Sequence, residues 1–306
     1  MEQREILQPT VNLFLKTHAK AWLKQHRLLL PASLAFVRFA RYDGGVTRAP
    51  HRVRPLLALL ILPLLASLMP QPAAAAPTSS TYVPVLMYHY IRFNPDPRDQ
   101  TGFGLSVTPI AFHAQMAYLA RNHFNVIPLS QAVAAIRSHQ PLPPRSIVLT
   151  FDDGYVDFYT LAIREVAHYH FTATEFVVPG FLGRRSFMTW SQVVAADRMG
   201  FTIGAHTMHH LALAGIRPSA ALWEMSESKR QLEQVLGHPV IEFAYPYGSF
   251  NGYLAERARA MGFESAASTI PGGWHQPGEL WWLARQRVSG WTSLEEFARL
   301  AGGPRP

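Results

Sequence analysis

The stretch SIVLTFDDGY, residues 146–155, joins an apolar run to two adjacent carboxylates and a glycine. The run from Ile147 to Leu149 has the continuous hydrophobicity of a buried strand. Adjacent side chains on a strand point to opposite faces, so Asp152 and Asp153 can share one site only if the chain turns there, and Gly154 permits that turn. Two close carboxylates repel each other unless a cation or a shared proton joins them. The stretch therefore predicts either a cation site or an ordinary Asp-Gly turn.

A second polar motif, GAHTMHH at residues 204–210, also follows an apolar stretch, residues 200–203. His206 and His210 are four residues apart, so on a helical turn their imidazoles face the same way. Imidazole is the commonest metal ligand, and two His with one carboxylate form a familiar open metal site. A lone His-x-x-x-His is a weak signal. Together with the Asp pair, each motif following a strand-like run, it makes a metal site a specific prediction.

The basic charge of the chain is unevenly distributed. The formal net charge is +8 over 306 residues, yet residues 1–54 hold ten Lys and Arg against three Asp and Glu, which leaves 18 and 17 for residues 55–306. The basic excess therefore belongs to the amino-terminal leader, and nucleic acid is rejected as the main partner. The chain has no cysteine, which excludes disulfides, a catalytic thiol and a lipid anchor on Cys.

The leader ends in the parts of a secretory signal peptide: a basic flank, an apolar run over residues 55–69 and an alanine-rich end at residues 70–76. The run is shorter than the ~20 residues of a spanning helix, but with the alanines it is long enough to stay as an uncleaved anchor. The segment that begins at Val46 has by itself all the parts of a signal peptide, so the sequence does not decide where translation starts. We predict export to the periplasm or cell envelope. The predicted layout is a basic leader over 1–54, a signal peptide or membrane anchor over 55–76, a linker over 77–81 and one folded domain over 82–306.

The folded domain reads as strands alternating with helices, which indicates an α/β fold with a parallel sheet. Helices are predicted over residues 108–122, 129–138, 156–169, 190–199, 218–236, 252–261 and 293–300, and strands over 84–88, 125–127, 147–149, 171–178, 201–204, 241–244, 264–267 and 283–288. In parallel barrels, sites lie at the carboxyl ends of strands. Both motifs fall at such predicted ends, as does Tyr247.

At these residues the chain resembles a known family. The motifs TFDDGY (150–155) and HTMHH (206–210) resemble the first two motifs of the polysaccharide deacetylases, carbohydrate esterase family 4, with its NodB homology domain. FAYPYG (243–248) resembles the third motif, and VLMYH (85–89) is similar to the strand that opens exported members. The likeness covers roughly residues 82–300. It implies a distorted, incomplete (β/α)7-type barrel of the glycoside hydrolase/deacetylase kind.

The resemblance also implies roles for the motif residues. Asp153, His206 and His210 would hold a divalent metal, zinc in the first place, although cobalt or nickel fits the same ligands. Asp152 would be the general base on metal-bound water. His209 matches no family ligand and is expected at the surface or behind the site.

The third motif supplies the expected substrate contacts. Tyr247 matches the tyrosine whose backbone N–H points at the oxyanion. Thr207, Pro246 and Tyr247 are the predicted substrate contacts from the motifs, and Trp274 joins them because sugar rings stack on exposed indole faces.

The chain departs from the family pattern at three places. Ala244 stands where the third motif often has an arginine, and residues 273–275 replace the fourth motif. Arg285 occupies the position of the histidine that acts as general acid, and arginine cannot donate a proton at neutral pH. His89 and His275 are therefore the predicted substitutes for the acid.

Taken together, the resemblance implies an exported, metal-dependent hydrolase that removes N-acetyl groups from an N-acetylglucosamine-containing polysaccharide. Two alternatives remain: O-deacetylation of xylan or another acetylated polymer, and a glycan-binding module with a vestigial site. The expected partners are the acetylated polysaccharide and, if the apolar segment is uncleaved, the membrane.

Overall fold

The computed structural model describes residues 80–96 and 98–303. The predicted leader (1–54), the signal peptide or anchor (55–76) and most of the linker (77–81) lie outside these residues, so those predictions stand as they are. Within the described ranges, no helix combines the length and the apolar character needed to cross a bilayer.

The described chain alternates short strands and helices, as the sequence predicts. The strands are β1 (Thr81–Tyr82), β2 (Val85–Tyr88), β3 (Tyr90–Ile91), β4 (Ser106–Val107), β5 (Asn125–Val126), β6 (Ser146–Asp153), β7 (Thr174–Val177), β8 (Thr202–Ala205), β9 (Glu242–Ala244), β10 (Ser265–Ala267), β11 (Trp274–His275) and β12 (Gln286–Arg287). The helices are α1 (Gln100–Leu105), α2 (Pro109–Arg121), α3 (Leu129–Ser138), α4 (Ile163–His168), α5 (Trp190–Arg198), α6 (Pro218–Leu236), α7 (Gly252–Ala260) and α8 (Leu294–Leu300).

One parallel sheet organises the described chain, in the order β10-β9-β8-β7-β6-β2-β12. The segment 283–287 reaches both of its edges, because Leu283 bridges to Ala267 of β10 and Gln286 pairs with Leu86 of β2. The sheet therefore curls round on itself. This arrangement confirms the predicted (β/α)7-type barrel. All eight residues of β6 are buried, as expected for a central strand covered on both faces.

The core has two layers, inside and outside the barrel. Inside, Val148 and Phe176 of the strands share one apolar cluster with Leu129, Val133 and Ile136, which form the apolar face of α3. The α3 helix therefore packs against the interior side chains of the barrel. Outside, a larger cluster joins the strands to the other helices. Burial of these apolar faces is a main favourable contribution to the stability of the barrel.

Helix boundaries follow the capping residues. The predicted helix over 218–236 is confirmed, and it ends where Gly237 adopts a left-handed φ of 80°. Thr108 and Thr189 cap α2 and α5 through their side chains. The predicted helix over 156–169 is confirmed over residues 156–168, and it contains a π-helical turn, Phe158–Ala162, before α4.

Candidate metal centre and active site

The two adjacent carboxylates lie at the carboxyl end of β6, where the chain turns sharply. Asp153 and Gly154 both adopt left-handed backbone conformations, with φ of 86° and 85°. A non-glycine residue in this region is uncommon and is found most often at functional sites. Asp152 and Asp153 are only 3% and 6% exposed. The predicted turn is therefore present, but it begins at Asp153 itself.

The two histidines follow the end of β8 on a loop that is not helical. Thr207 and His210 adopt positive φ of 63° and 57°, and the backbone N–H of His210 donates to Thr207 Oγ1 over 2.9 Å. The expectation that a helical turn aligns the imidazoles is therefore wrong. Two left-handed residues and a side-chain hydrogen bond fold the loop back and achieve the same convergence.

The three predicted ligands meet at one point. Asp153 Oδ1 lies 3.4 Å from His206 Nε2 and 3.0 Å from His210 Nε2. These side chains offer ligand atoms that all lie within 4.8 Å of one another. Ligands at about 2.0–2.2 Å from a tetrahedral ion stand roughly 3.3 Å apart. The spacing therefore fits a small divalent cation.

Hydrogen bonds behind the cluster set its chemistry. His206 Nδ1 lies 2.7 Å from the carbonyl oxygen of Ala244, which can only accept, so Nδ1 carries the proton and Nε2 faces Asp153. His210 Nδ1 lies 3.1 Å from the hydroxyl of Tyr247. Burial opposes ionisation of Asp153, but the two imidazoles hold its pKa well below the usual range. Asp153 Oδ1 is buried and has no hydrogen-bond partner among the described residues, so a metal ion between it and the two imidazole nitrogens would satisfy all three groups.

Asp152 has a different partner. Arg285 donates from its two terminal nitrogens to the two carboxylate oxygens of Asp152, each over 2.7 Å. Burial alone would raise the pKa of Asp152, but the Arg285 guanidinium more than offsets burial and lowers it. Arg285, which stands where the resemblance leads one to expect the general acid, therefore keeps Asp152 ionised.

The two predicted substitutes for the acid are placed differently. His89 follows β2 at the site end of the barrel, and its Nδ1 is buried with no hydrogen-bond partner among the described residues. Burial lowers the pKa of His89, although Asp152 and Asp153 act in the opposite direction. His275 is bound to the carbonyl oxygen of Val83, just before β2, and so lies at the other end of the barrel.

The position of His275 corrects two predictions. Trp274 precedes it on β11 and contacts the ring of Tyr82 at 5.0 Å, also beside the amino end of β2. Neither residue is brought to the cluster, because β11 pairs with β1 below the barrel. A Gly-Trp-His sequence gives no signal for this pairing.

Of the third-motif residues, Tyr247 is exposed beside the cluster and Pro246 is buried in the same turn. Tyr247 is 68% exposed, has a φ of 58° and contacts the ring of His210 at 4.6 Å. Pro246 is buried and opens the turn that presents Tyr247. Thr207 is fully buried, so its hydroxyl orders the loop and does not reach a substrate.

Several residues at the site escaped prediction. Four aromatic side chains, here called the aromatic arc, border the cluster: Tyr90, Tyr155, Phe187 and Phe181. The distances between ring centroids are 4.1 Å (Tyr90–Tyr155), 4.7 Å (Tyr155–Phe187), 5.0 Å (Phe181–Phe187) and 6.2 Å (Phe181–His210). Phe181 ends a single 3₁₀ turn and Phe187 lies outside the strands and helices, so neither segment carries a periodic signal. Glu175 is buried behind the turn and accepts a hydrogen bond from Gly154 N–H over 2.8 Å.

Comparison with known proteins agrees with this geometry. The polysaccharide deacetylase family model matches residues 139–266. The protein YxkH of Bacillus subtilis, whose name places it among the polysaccharide deacetylases, is 28% identical over 215 residues, which is 70% of this chain and 74% of that protein. The solved structure of the Streptococcus pyogenes deacetylase PplD in complex with acetate superposes with a TM-score of 0.68 at 25% identity and covers 73% of this chain and 99% of that one.

A third relative is larger than this chain. The poly-beta-1,6-N-acetyl-D-glucosamine N-deacetylase of Escherichia coli K12 is 25% identical over 241 residues, which span 64% of this chain and only 35% of that protein. The fold, the site and these similarities agree. Over the matched residues 139–266 the chain is similar to the polysaccharide deacetylases, and these relatives support a hydrolase of the deacetylase class.

Proposed function

We propose that this protein is an exported, metal-dependent hydrolase that removes N-acetyl groups from an N-acetylglucosamine-containing polysaccharide of the cell wall or cell surface. The observation that carries the proposal is the convergence of Asp152, Asp153, His206 and His210 at one end of the barrel. The named activity of the Escherichia coli relative supports an N-acetylglucosamine polymer as the substrate.

Asp153, His206 and His210 would hold the metal ion. Zinc suits a site of two imidazoles and one carboxylate, and cobalt or nickel fits the same donors. A divalent ion bound there would supply a Lewis acid that polarises the acetyl carbonyl and makes water more acidic. The three residues leave room for further ligands, which is the arrangement of a catalytic site.

Asp152 is the proposed general base. It is ionised because Arg285 neutralises the effect of burial, and each of its oxygens keeps a lone pair after binding the guanidinium. In the reaction, Asp152 takes a proton from the attacking water as the new C–O bond forms. The backbone N–H of Tyr247 is the proposed donor to the oxyanion.

His89 is the proposed general acid. It lies within electrostatic reach of Asp152 and Asp153, and no described residue uses its buried Nδ1. When the amide C–N bond breaks, the leaving amine needs a proton, which His89 can deliver. Because burial lowers the pKa of His89, its protonated form is a comparatively strong acid.

The aromatic arc supports a glycan substrate. Sugar rings stack on aromatic faces, and Tyr90, Tyr155 and Phe187 form contiguous, partly exposed rings beside the cluster. The ring of Tyr247, on the opposite side of His210, extends the same border. This border is wider than one acetyl group, so it favours a polymeric substrate over a small amide.

The test is acetate release by the purified protein from oligomers of β-1,6- and β-1,4-linked N-acetylglucosamine, peptidoglycan and acetylxylan. We expect release from an N-acetylglucosamine polymer, its loss on chelation and its recovery with added zinc. The Asp152→Asn variant is the matched control. Release from acetylxylan alone would assign an O-acetyl esterase. Binding of glycans without any acetate release would assign a binding module.

A further inference from the structure

We propose that Glu224, a buried carboxylate on α6, is a positioning residue that holds the metal-binding loop 206–210 in shape by acting through His209. The proposal rests on the proposed metal site, because the loop carries two of its three ligands. It assigns a task to His209, the histidine of the motif that matches no ligand.

Glu224 binds two consecutive residues of the loop. Its side-chain oxygens accept from the backbone N–H of His209 over 2.7 Å and lie 2.9 Å from His209 Nδ1. Its backbone carbonyl accepts from Met208 N–H over 3.1 Å. Glu224 is only 3% exposed, whereas the His209 side chain is 46% exposed, so these bonds join a buried carboxylate to a loop residue at the surface. We call these three contacts the loop clamp.

The opposite side of the loop is also held. Gly180 N–H donates to the carbonyl of Met208 over 3.0 Å. A Cβ at residue 180 would come within 2.4 Å of that carbonyl oxygen, so only glycine allows the approach. On the α6 side, Trp223 also stacks on the imidazole of His209, with ring centroids 5.7 Å apart and an interplanar angle of 13°. The loop is therefore fixed between α6 and the turn that follows β7.

The loop needs such support because its backbone is unfavourable by itself. Thr207 and His210 both adopt left-handed φ, and such residues persist only where their surroundings over-determine them. The loop sets the separation of His206 Nε2 and His210 Nε2, the two atoms that face Asp153. Loss of the clamp would let the loop relax, and the two nitrogens would no longer converge.

His209 itself is not placed as a ligand. Its Nδ1 is directed at Glu224, and it does not belong to the potential metal cluster found among the described residues. A carboxylate suits the clamp because it can accept from two donors at once. Removal of the carboxylate would take away the acceptor of both the backbone N–H and the Nδ1 of His209.

The experiment measures zinc affinity in the purified full-length protein by competition with a chromogenic chelator. The variants are Glu224→Gln, Glu224→Ala and His209→Ala, and the control is Glu227→Gln, whose side chain accepts from Arg230 and Gln231 of the same helix. Partners behind a metal site typically contribute about 10- to 100-fold to affinity. We expect a loss of that size in Glu224→Ala, a smaller loss in Glu224→Gln and no change in the control.

A second readout separates positioning from general stability. Zinc affinity is measured well below the unfolding temperature, with folding checked by circular dichroism, and amide hydrogen exchange is followed at residues 208 and 209. We expect faster exchange there in the variants. If Glu224→Ala does not fold, Glu224→Gln and His209→Ala decide the outcome. Unchanged zinc affinity in the folded variants overturns the loop clamp alone, whereas absence of zinc binding by the unaltered protein overturns the metal site and the clamp together.

Discussion

Arg285 and Asp152 form a fully buried, two-pronged ion pair across the barrel. The two hydrogen bonds are each 2.7 Å long, and the side chains are 0% and 3% exposed. Arg285 also donates to Ser268 O over 2.9 Å and to Thr150 Oγ1 over 3.1 Å. A buried ion pair is favourable only when its remaining donors are satisfied in this way. The pair therefore explains how a buried carboxylate stays ionised.

Replacement of Arg285 by methionine should impair both stability and activity. The variant leaves an uncompensated buried carboxylate, which typically lowers the free energy of unfolding by about 3–5 kcal/mol. The pKa of Asp152 would rise, because burial would no longer be offset by the guanidinium, so the pH profile of activity should move to higher pH. Denaturant unfolding and acetate release across a pH series measure the two effects. Arg285→Lys, which keeps the charge but not the fork, should be intermediate; wild-type behaviour of the methionine variant would contradict the assignment.

Substitution of Asp152 and substitution of Asp153 should have different effects on activity and on bound metal. Asp152→Asn keeps the shape but removes basicity, so activity should fall by about 10²–10⁴-fold while metal is retained. Asp153→Asn should lose both metal and activity, because a neutral amide is a poorer ligand for a divalent ion. Elemental analysis beside acetate release distinguishes them. Retention of metal by Asp153→Asn with its loss from Asp152→Asn would reverse the two roles.

The acid role of His89 depends on the leaving group. An amine leaving group needs a proton, whereas 4-nitrophenolate does not. His89→Gln should therefore lose about 10²–10⁴-fold in N-deacetylation and keep most of its hydrolysis of 4-nitrophenyl acetate. His275→Gln, at the other end of the barrel, is the matched control and should affect neither reaction. Equal losses on both substrates would show that His89 supports the site in another way.

Glu242 should make stability depend on pH. Burial raises its pKa from 4.5 to about 7, even though the Thr174 hydroxyl and the N–H of Ser130 favour the ionised form. The folded state therefore holds more protons than the unfolded state between these values, and stability falls as pH rises from about 4.5 to about 7.

Glu242→Gln removes this dependence. At pH 8 the variant should be more stable than the parent, by at most ~3 kcal/mol for a shift of this size. At pH 4.5 the two should be close to equal. Denaturant titrations at both pH values measure the difference, and a constant gap between the proteins at all pH values would show that Glu242 stays neutral or is otherwise compensated.

Features of the fold that depend on residues close together in the sequence could be predicted. The carboxyl end of β6, the end of β8 and the helix 218–236 follow from hydrophobic runs, glycines and caps within a few residues. The convergence of Asp153, His206 and His210 could also be predicted, because carboxyl ends of parallel strands meet at one end of a barrel.

Contacts across the fold could not be predicted. Arg285 lies 133 residues from Asp152, and only the closing of the barrel brings them together. The same holds for Glu224 and His209, which depend on the rotation of α6 about its axis. His275 was misplaced because its strand pairs with residues near the start of the domain. Pairing between short strands far apart in sequence leaves no periodic pattern.

The segment that closes the barrel also supplies Arg285, the partner of Asp152. All four motif residues are present once residue 210 has been made, yet the partner of Asp152 arrives only with segment 283–287, the last strand of the sheet. A chain that stops short of this segment would carry the metal ligands and an unpaired, buried Asp152. A chain cut before residue 283 should therefore be inactive even though it keeps Asp152, Asp153, His206 and His210.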